Sequence, residues 1–347
     1  MNLNDFLKKP PCWLKETSES QNIVISSRIR IARNLTDIPF PHRASLTQKE
    51  EIIRRFLEAK DNVERFKESV FFRIDELSHV DKQFLIERHL ISPDLAQNSK
   101  GAALLVTCDE LISVMVNEED HFRIQILSAG AQLKNLWYQL NSIDDKLSEK
   151  LNFAFSKEWG YLTACPTNVG TGLRGSVMLH LPGLVLLKRI NKVLHAISKL
   201  SFNTRGLFGE GTQAIGNLFQ ISNQISLGQS ESDILDNIEG VIKQVTEQEL
   251  SAREHLLKTQ RMFIEDKVWR AYGILKNSRI INSQEALELF SMLRLGLDLG
   301  IIKKVSYADL NELFLIIQPA HLQKKEGRIL SAQERDIKRA ELIRSKL

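Results

Sequence analysis

Residues 165–182 read CPTNVGTGLRGSVMLHLP, and the fold turns on how the glycines in this stretch are read. Gly170, Gly172 and Gly175 have the G-x-G-x-x-G spacing of a dinucleotide-binding turn. That fingerprint has physical content only where the glycines follow a strand, open a helix and are answered about 20 residues later by an acid on a ribose hydroxyl. No Asp or Glu occurs between Ser176 and Gly209, and the residues after the glycines, SVMLHL, alternate as a half-buried strand does. The stretch therefore predicts a glycine turn running into a strand, not a Rossmann unit. Arg174 sits in that turn, where small neighbours let a guanidinium reach a bound anion.

Working outward, residues 22–31, 103–117, 122–127 and 176–181 carry β-branched or alternating apolar patterns that predict strands. Residues 45–66 and 182–200 repeat apolar side chains at helical spacing, the first after Ser and Thr, the second after a proline. From about Ile234 onward only long amphipathic runs follow, with Asn282/Glu285 and Ser331/Glu334 spaced as capping boxes. The expected class is α+β: a mixed domain over residues 1–255 and an all-α domain over 256–347.

The bulk composition narrows the function classes. A formal charge of +4 over 347 residues, with 43 acids against 47 bases, gives no reason to expect direct nucleic-acid binding. Three scattered cysteines, Cys12, Cys108 and Cys165, form neither a zinc set nor a disulfide framework, so no bound metal is expected and a reducing cytoplasm suits them. No long apolar segment predicts a membrane span or a secretory signal.

Four segments concentrate arginine, carboxylate and glycine beyond what a core needs. SSRIR places Arg28 and Arg30 two apart on a strand, hence on one face. NEEDHFR groups Glu118, Glu119, Asp120, His121 and Arg123; CPTNVGTGLRG adds Cys165 and Arg174; TRGLFGEGTQ adds Arg205 and Glu210. Taken singly, these fit a solvated strand face, an acidic turn and a packed small cysteine. Together, five arginines suit a polyphosphate, because a guanidinium makes bidentate bonds to phosphate oxygens and keeps its proton. Phosphoryl transfer needs mainly positioning and charge stabilisation, so arginines with Mg²⁺ on the nucleotide could supply most of the catalysis without a Walker loop, and none is present. Glu119 and Glu210 are then candidates to hold or deprotonate a cationic acceptor, with Cys165 beside it.

SSRIRIARNL, NEEDHFRIQ, CPTNVGTGLRGSV and the RG…GE…ISNQ stretch, in this order, resemble the guanidino (phosphagen) kinase family over roughly residues 20–255. The resemblance implies that family's catalytic fold, an antiparallel sheet flanked by helices, and an ATP site lined by Ser26, Ser27, Arg28, Ile29, Arg30, His89, Arg123, Arg174, Gly175, Ser176, Val177, Met178, Arg205, Gly206, Leu207, Phe208, Gly209 and Glu210. It implies that Glu119 and Glu210 orient and activate a guanidinium, with Cys165 as the essential thiol. Two departures stand out: RGLFGEGTQ replaces a more charged loop, leaving Glu210 or Gln213 for the acid position, with Glu210 favoured because an amide is no base. Met178 stands where a histidine often meets the nucleotide. SSRIR begins at Ser26, without room ahead of it for the helical domain of creatine and arginine kinases. That is similar to the bacterial branch acting on protein arginine, and implies an open acceptor site.

The C-terminal RDIKRA, from Arg335 through Asp336, Ile337, Lys338 and Arg339 to Ala340, matches that branch's RDxxRA phosphoarginine-binding motif. Without the resemblance, those charges read rather as surface i,i+4 pairs on an exposed helix. The resemblance implies proteins with exposed arginines as substrates, a homodimer, product feedback through the motif, a possible activator protein and a Clp-type protease acting on the marked proteins in a stress response.

Overall fold

The computed structural model describes residues 3–14, 23–206 and 215–347. Four of the expected site residues, Leu207, Phe208, Gly209 and Glu210, together with Gln213, lie outside the described residues.

In chain order the strands are β1 (Val24–Arg33), β2 (Ser69–Arg73), β3 (Ala103–Thr107), β4 (Ile112–Val116), β5 (Phe122–Ala129), the short β6 (Phe155–Ser156) and β7 (Gly160–Tyr161), β8 (Leu173–His180), β9 (Phe202–Arg205) and β10 (Leu218–Asn223). The helices are α1 (Leu46–Ala59), α2 (His79–Glu87), α3 (Pro93–Gln97), α4 (Leu133–Ser148), α5 (Pro182–Leu186), α6 (Ile190–Lys199), α7 (Glu231–Thr259), α8 (Arg261–Asn277), α9 (Ser283–Asp298), α10 (Tyr307–Ile316), α11 (Pro319–Glu326) and α12 (Ala332–Lys346). Eight strands form one antiparallel sheet in the order β2-β3-β4-β5-β1-β8-β10-β9, and β6 pairs with β7.

Cross-strand partners share a face, so the register sorts the side chains. Ile29 faces Ile126 and Gly175, and Ile31 faces Ile124 and Leu173. These residues, with Val114, Val177 and Ile221, form an apolar core with α1, α4 and α7. Gly175 admits that packing, since a Cβ there would stand 2.6 Å from Ile238 Cδ1. The opposite face carries Arg28, Arg30, Arg123, Arg174 and Arg205.

The glycine stretch runs into β8, as its alternation predicts. Gly172 takes φ +68°, and a Cβ there would come within 2.7 Å of Ala32 O and Arg33 Nη1. The 103–117 pattern is two strands of a hairpin, because TCDEL supplies a turn with Glu110 at φ +59°. The helical pattern over residues 182–200 breaks at Lys188, φ +58°, into α5 and α6.

After Glu231 the described chain is helical. Helix α7 carries it from one core to another: Ala252 belongs to the sheet core and Leu256 to a helical core with Val268, Phe290, Leu313 and Ile343. Gln260 interrupts the helix between α7 and α8. Ser331 and Glu334 form a full capping box for α12, whereas at α9 the Asn282 side chain accepts from Glu285 N.

A buried ion pair ties the end of β1 to α4. Arg33 Nη2 lies 2.7 Å from Asp144 Oδ2, and Arg33 Nη1 donates to Ala32 O and Thr171 O, each at 2.9 Å. The Tyr161 ring covers the guanidinium at 3.4 Å. Burial pushes the Asp144 carboxyl up, against the pull of Arg33. Removing one partner leaves an uncompensated buried charge, so Asp144→Ala is expected to cost about 3–5 kcal/mol by urea denaturation. Arg33→Met with Asp144→Leu should recover part of that loss, with Thr171 O left unpaired.

Candidate active site

The arginine-bearing face of the sheet floors a cavity of about 970 Å³. Arg28, Arg30, Arg123, Arg174 and Arg205 all line it, joined by His89, Glu118, Glu119 and Cys165. The strand period brings the five guanidinium groups together: Arg30 pairs across β1–β8 with Arg174, and Arg28 with Ser176. Polar neighbours fix the floor. Arg28 Nη2 donates to Gln220 Oε1 at 2.8 Å and its Nε to Ser176 Oγ at 3.4 Å.

Burial and then the fields of Arg123, Arg174 and Arg205 lower the Arg28 pKa to about 10. Arg30 is lowered too, by burial and then by Arg28, Arg123 and Arg174, with Glu118 opposing. Its Nε is buried without a hydrogen-bond partner among the described residues. Like charges held together out of water disfavour one another, and a multiply charged anion relieves that cost.

Glu118, Glu119 and Cys165 line the same cavity. The Glu118 side chain is buried, paired with Arg123 and accepting a hydrogen bond from the Ser92 hydroxyl. Glu119 stays half-exposed, 3.7 Å from Arg123, and its carboxyl is pushed up by burial first, with Asp120, Glu118 and Asp94 adding to the rise. Cys165 lies on the loop before β8, with Sγ 3.1 Å from Thr167 Oγ1.

A buried amide network holds these two loops in register. Asn34 Nδ2 donates to Asp120 Oδ1 at 2.7 Å and to Leu162 O at 3.0 Å, and Asn34 Oδ1 accepts from His121 N at 2.8 Å. Asp120 Oδ1 also accepts from Ala164 N at 2.7 Å, next to Cys165. His89 adopts φ +60°, and its ring meets Trp13 edge-on at 4.9 Å.

Other expected residues lie elsewhere. Ser27, Ile29 and Val177 point to the opposite face, Ser27 Oγ donating to Gly130 O at 2.6 Å and the other two sitting in the core. Gly175 lies on that side too. Ser26 pairs with Met178 on the cavity side of the sheet, outside the cavity lining, and Met178 packs on Leu218 and Phe314. Ser176 shares the Arg28 contact, and Gly206 follows β9, buried. The 335–340 segment stands apart on α12. Arg339 is buried, donating to Ile317 O and Ile281 O at 2.9 Å and to Asp336, while Ala340 joins the helical core. Arg335 Nη1 reaches Leu330 O at 3.2 Å, and Ile337 and Lys338 are partly exposed.

Residues 49–252 match the ATP:guanido phosphotransferase C-terminal catalytic domain, and residues 261–347 the protein-arginine kinase McsB C-terminal domain. The protein-arginine kinase of Halothermothrix orenii is 49% identical over 348 residues, covering 100% of this chain and 99% of the relative. That of Bacillus subtilis is 46% identical over 350 residues, covering 100% and 96%. The chain belongs to the protein-arginine kinase family.

Solved structures share the fold of this family at low identity. The duplicated taurocyamine kinase of Schistosoma mansoni with transition state analog components gives a TM-score of 0.61 at 23% identity, over 77% of this chain and 41% of that one. Lombricine kinase gives 0.58 at 22% identity, over 72% and 71%.

Several residues around the kinase cavity escaped the sequence reading: Gln220, Gln125, Asn34 and Asp94. Gln220 carries a recoverable signal, since in LFQISN it alternates with the core residues Phe219 and Ile221 once a strand is assumed. Asn34 and Asp94 carry none, because only the tertiary fold gives Asn34 its partners and brings Asp94 to the cavity.

Burial, and then the Arg28 charge, hold the His89 pKa at about 3, so the imidazole is neutral wherever the protein is folded near neutrality. Histidine ¹⁵N NMR should show no His89 titration between about pH 5 and 8, and Arg28→Ala should raise its pKa by removing the second cause.

Proposed function

We propose that the cavity binds Mg·ATP on its arginine face and transfers the γ-phosphoryl group in line to a terminal nitrogen of an arginine side chain in a protein. The observation that carries this reading is the convergence of five arginines on one sheet face, with Glu119 and Cys165 at its side. Arg28, Arg30, Arg123, Arg174 and Arg205 would hold the phosphates, and their charge would stabilise the oxygens of the transferring group. Mg²⁺ would arrive on the phosphate oxygens and take few protein ligands. When bound with the nucleotide, the ion would supply further neutralisation of phosphate charge beside that of the arginines.

The acceptor guanidinium has a pKa above about 12, so its nitrogen attacks poorly until a proton leaves. In the proposed step the P–N bond forms as the bond from phosphorus to the ADP oxygen breaks, and the departing N–H proton passes to a carboxylate. Glu119 is that carboxylate, with Glu210 the expected second acid. Cys165 would contact the same guanidinium.

In the same reading, the product marks proteins for a Clp-type protease in a stress response in the cytoplasm, with an activator protein involved. Arg335 binds the phosphate and Asp336 the guanidinium of phosphoarginine as positive feedback, and a homodimer forms through the helical region. Exposed Met262, Phe263 and Trp269 on α8 support such an interface.

Incubating the chain with Mg·ATP and either an unfolded arginine-rich protein or free arginine, and reading acid-labile phosphoarginine by mass spectrometry, tests the proposal. Label on protein is expected; label on free arginine alone would sink it. Glu119→Gln should lower the transfer rate by about 10²–10⁴-fold with ADP affinity retained. Because the base acts ionised, kcat/KM should fall as pH drops through the Glu119 pKa. Burial raises that value, so the acidic limb should lie above the ordinary glutamate pKa of about 4.3.

A further inference from the structure

We infer that Glu87 and His321 are positioning residues for the phosphoryl transfer: through them, helix α11 fixes the backbone turn that presents His89 to the cationic cavity.

Three consecutive residues carry the connection. Glu87 is 3% exposed, and its carboxylate caps α11 from outside that helix, accepting Ala320 N at 2.8 Å, His321 N at 3.1 Å and His321 Nδ1 at 2.7 Å. The helix's own N-cap residue, Gln318, makes no side-chain cap bond, so Glu87 supplies what α11 lacks. Arg88, 1% exposed, is gripped by Glu110 through Nε at 2.6 Å, by Lys9 O at 3.0 Å, and by His321 Nε2 at 3.3 Å from Nη1. His89 follows and lines the cavity.

Donor and acceptor requirements fix the tautomer of His321. A carboxylate only accepts and a guanidinium only donates, so Nδ1 carries the proton toward Glu87 and Nε2 accepts from Arg88. The neutral ring thus satisfies an anion on one side and a cation on the other. Phe84 packs against it with the rings tilted by 45° and centroids 4.4 Å apart.

The connection matters because His89 holds a conformation its own sequence disfavours. A non-glycine residue at φ +60° persists where its surroundings over-determine it. Here Gln125 Nε2 grips His89 O at 2.6 Å, Trp13 meets the ring, and the two preceding residues are pinned to α11. Removing the His321 ring leaves a buried carboxylate short of a donor and a buried guanidinium short of an acceptor, just before the strained residue.

The inference rests on the reading that the cavity binds nucleotide. Its test is Mg·ADP titration by calorimetry with steady-state kinetics on the full chain, comparing His321→Ala, Glu87→Gln, His89→Ala and Lys324→Ala. Lys324→Ala cuts the other bond between α2 and α11, to Asp81, away from His89. His321→Ala and Glu87→Gln should each raise the ADP Kd and the KM for ATP about tenfold, matching His89→Ala, with kcat at saturating ATP and the KM for the acceptor within about twofold. Lys324→Ala should lower the Tm without moving the KM for ATP. The near-isosteric Glu87→Gln keeps the test open if His321→Ala fails to fold. If His89→Ala weakens ADP while His321→Ala and Glu87→Gln do not, the positioning role is wrong and the nucleotide reading stands. If His89→Ala also leaves ADP binding unchanged, the assignment of His89 to the nucleotide site fails and takes this inference with it. An equal rise in Lys324→Ala would reduce the effect to general loosening of the interface and overturn the inference.

Discussion

Five guanidinium groups held on one face of a single sheet set the terms for the rest of the structure. Strand alternation places them there, and the same alternation sends Ile29, Ile31 and Val177 into the core behind them. The sheet therefore stores unfavourable charge against its own apolar packing. Burial and mutual repulsion depress Arg28 and Arg30 together, and a polyanion is the ligand whose charge offsets both. The floor is thus electrostatically suited to a multiply charged anion before any catalytic residue is considered.

Chemistry on that floor depends on loops that the sheet alone does not hold. Asn34, at the end of the arginine-bearing strand, ties Asp120 to the segment before Cys165, while Arg33 one residue earlier pins Thr171 and the Tyr161 ring. Strand, acidic turn and thiol loop are thereby fixed relative to one another by buried polar contacts. Such networks are costly when half-satisfied, which makes the geometry all-or-none.

The helical region is more than an appended domain, because its own core is continuous with supports of the cavity wall. Phe314 packs against Met178, Asn311 Nδ2 reaches Leu14 O at 2.9 Å, and α11 meets α2 through Glu87 and Arg88. Leu14 follows Trp13, whose ring braces His89. The wall that faces the proposed nucleotide is therefore built from both halves of the chain.

The sequence by itself determined the class of fold, the arginine-bearing strand and the rejection of a dinucleotide turn, because period-two alternation in residues 22–31 and 176–181 and the lack of an acid between Ser176 and Gly209 can be read from contiguous sequence. It also carried the family resemblance, since the four motifs are contiguous. It placed Ser27, Ile29 and Val177 in the site by motif membership, whereas the pleat turns every second side chain away. Only the tertiary structure decided that Asn34 and Asp120 hold Glu119 and Cys165 in register, that Gln220 braces Arg28, and that Glu87 meets His321. These pairs lie far apart in sequence, and a polar side chain announces its partner only when folding has removed the water that would otherwise satisfy it.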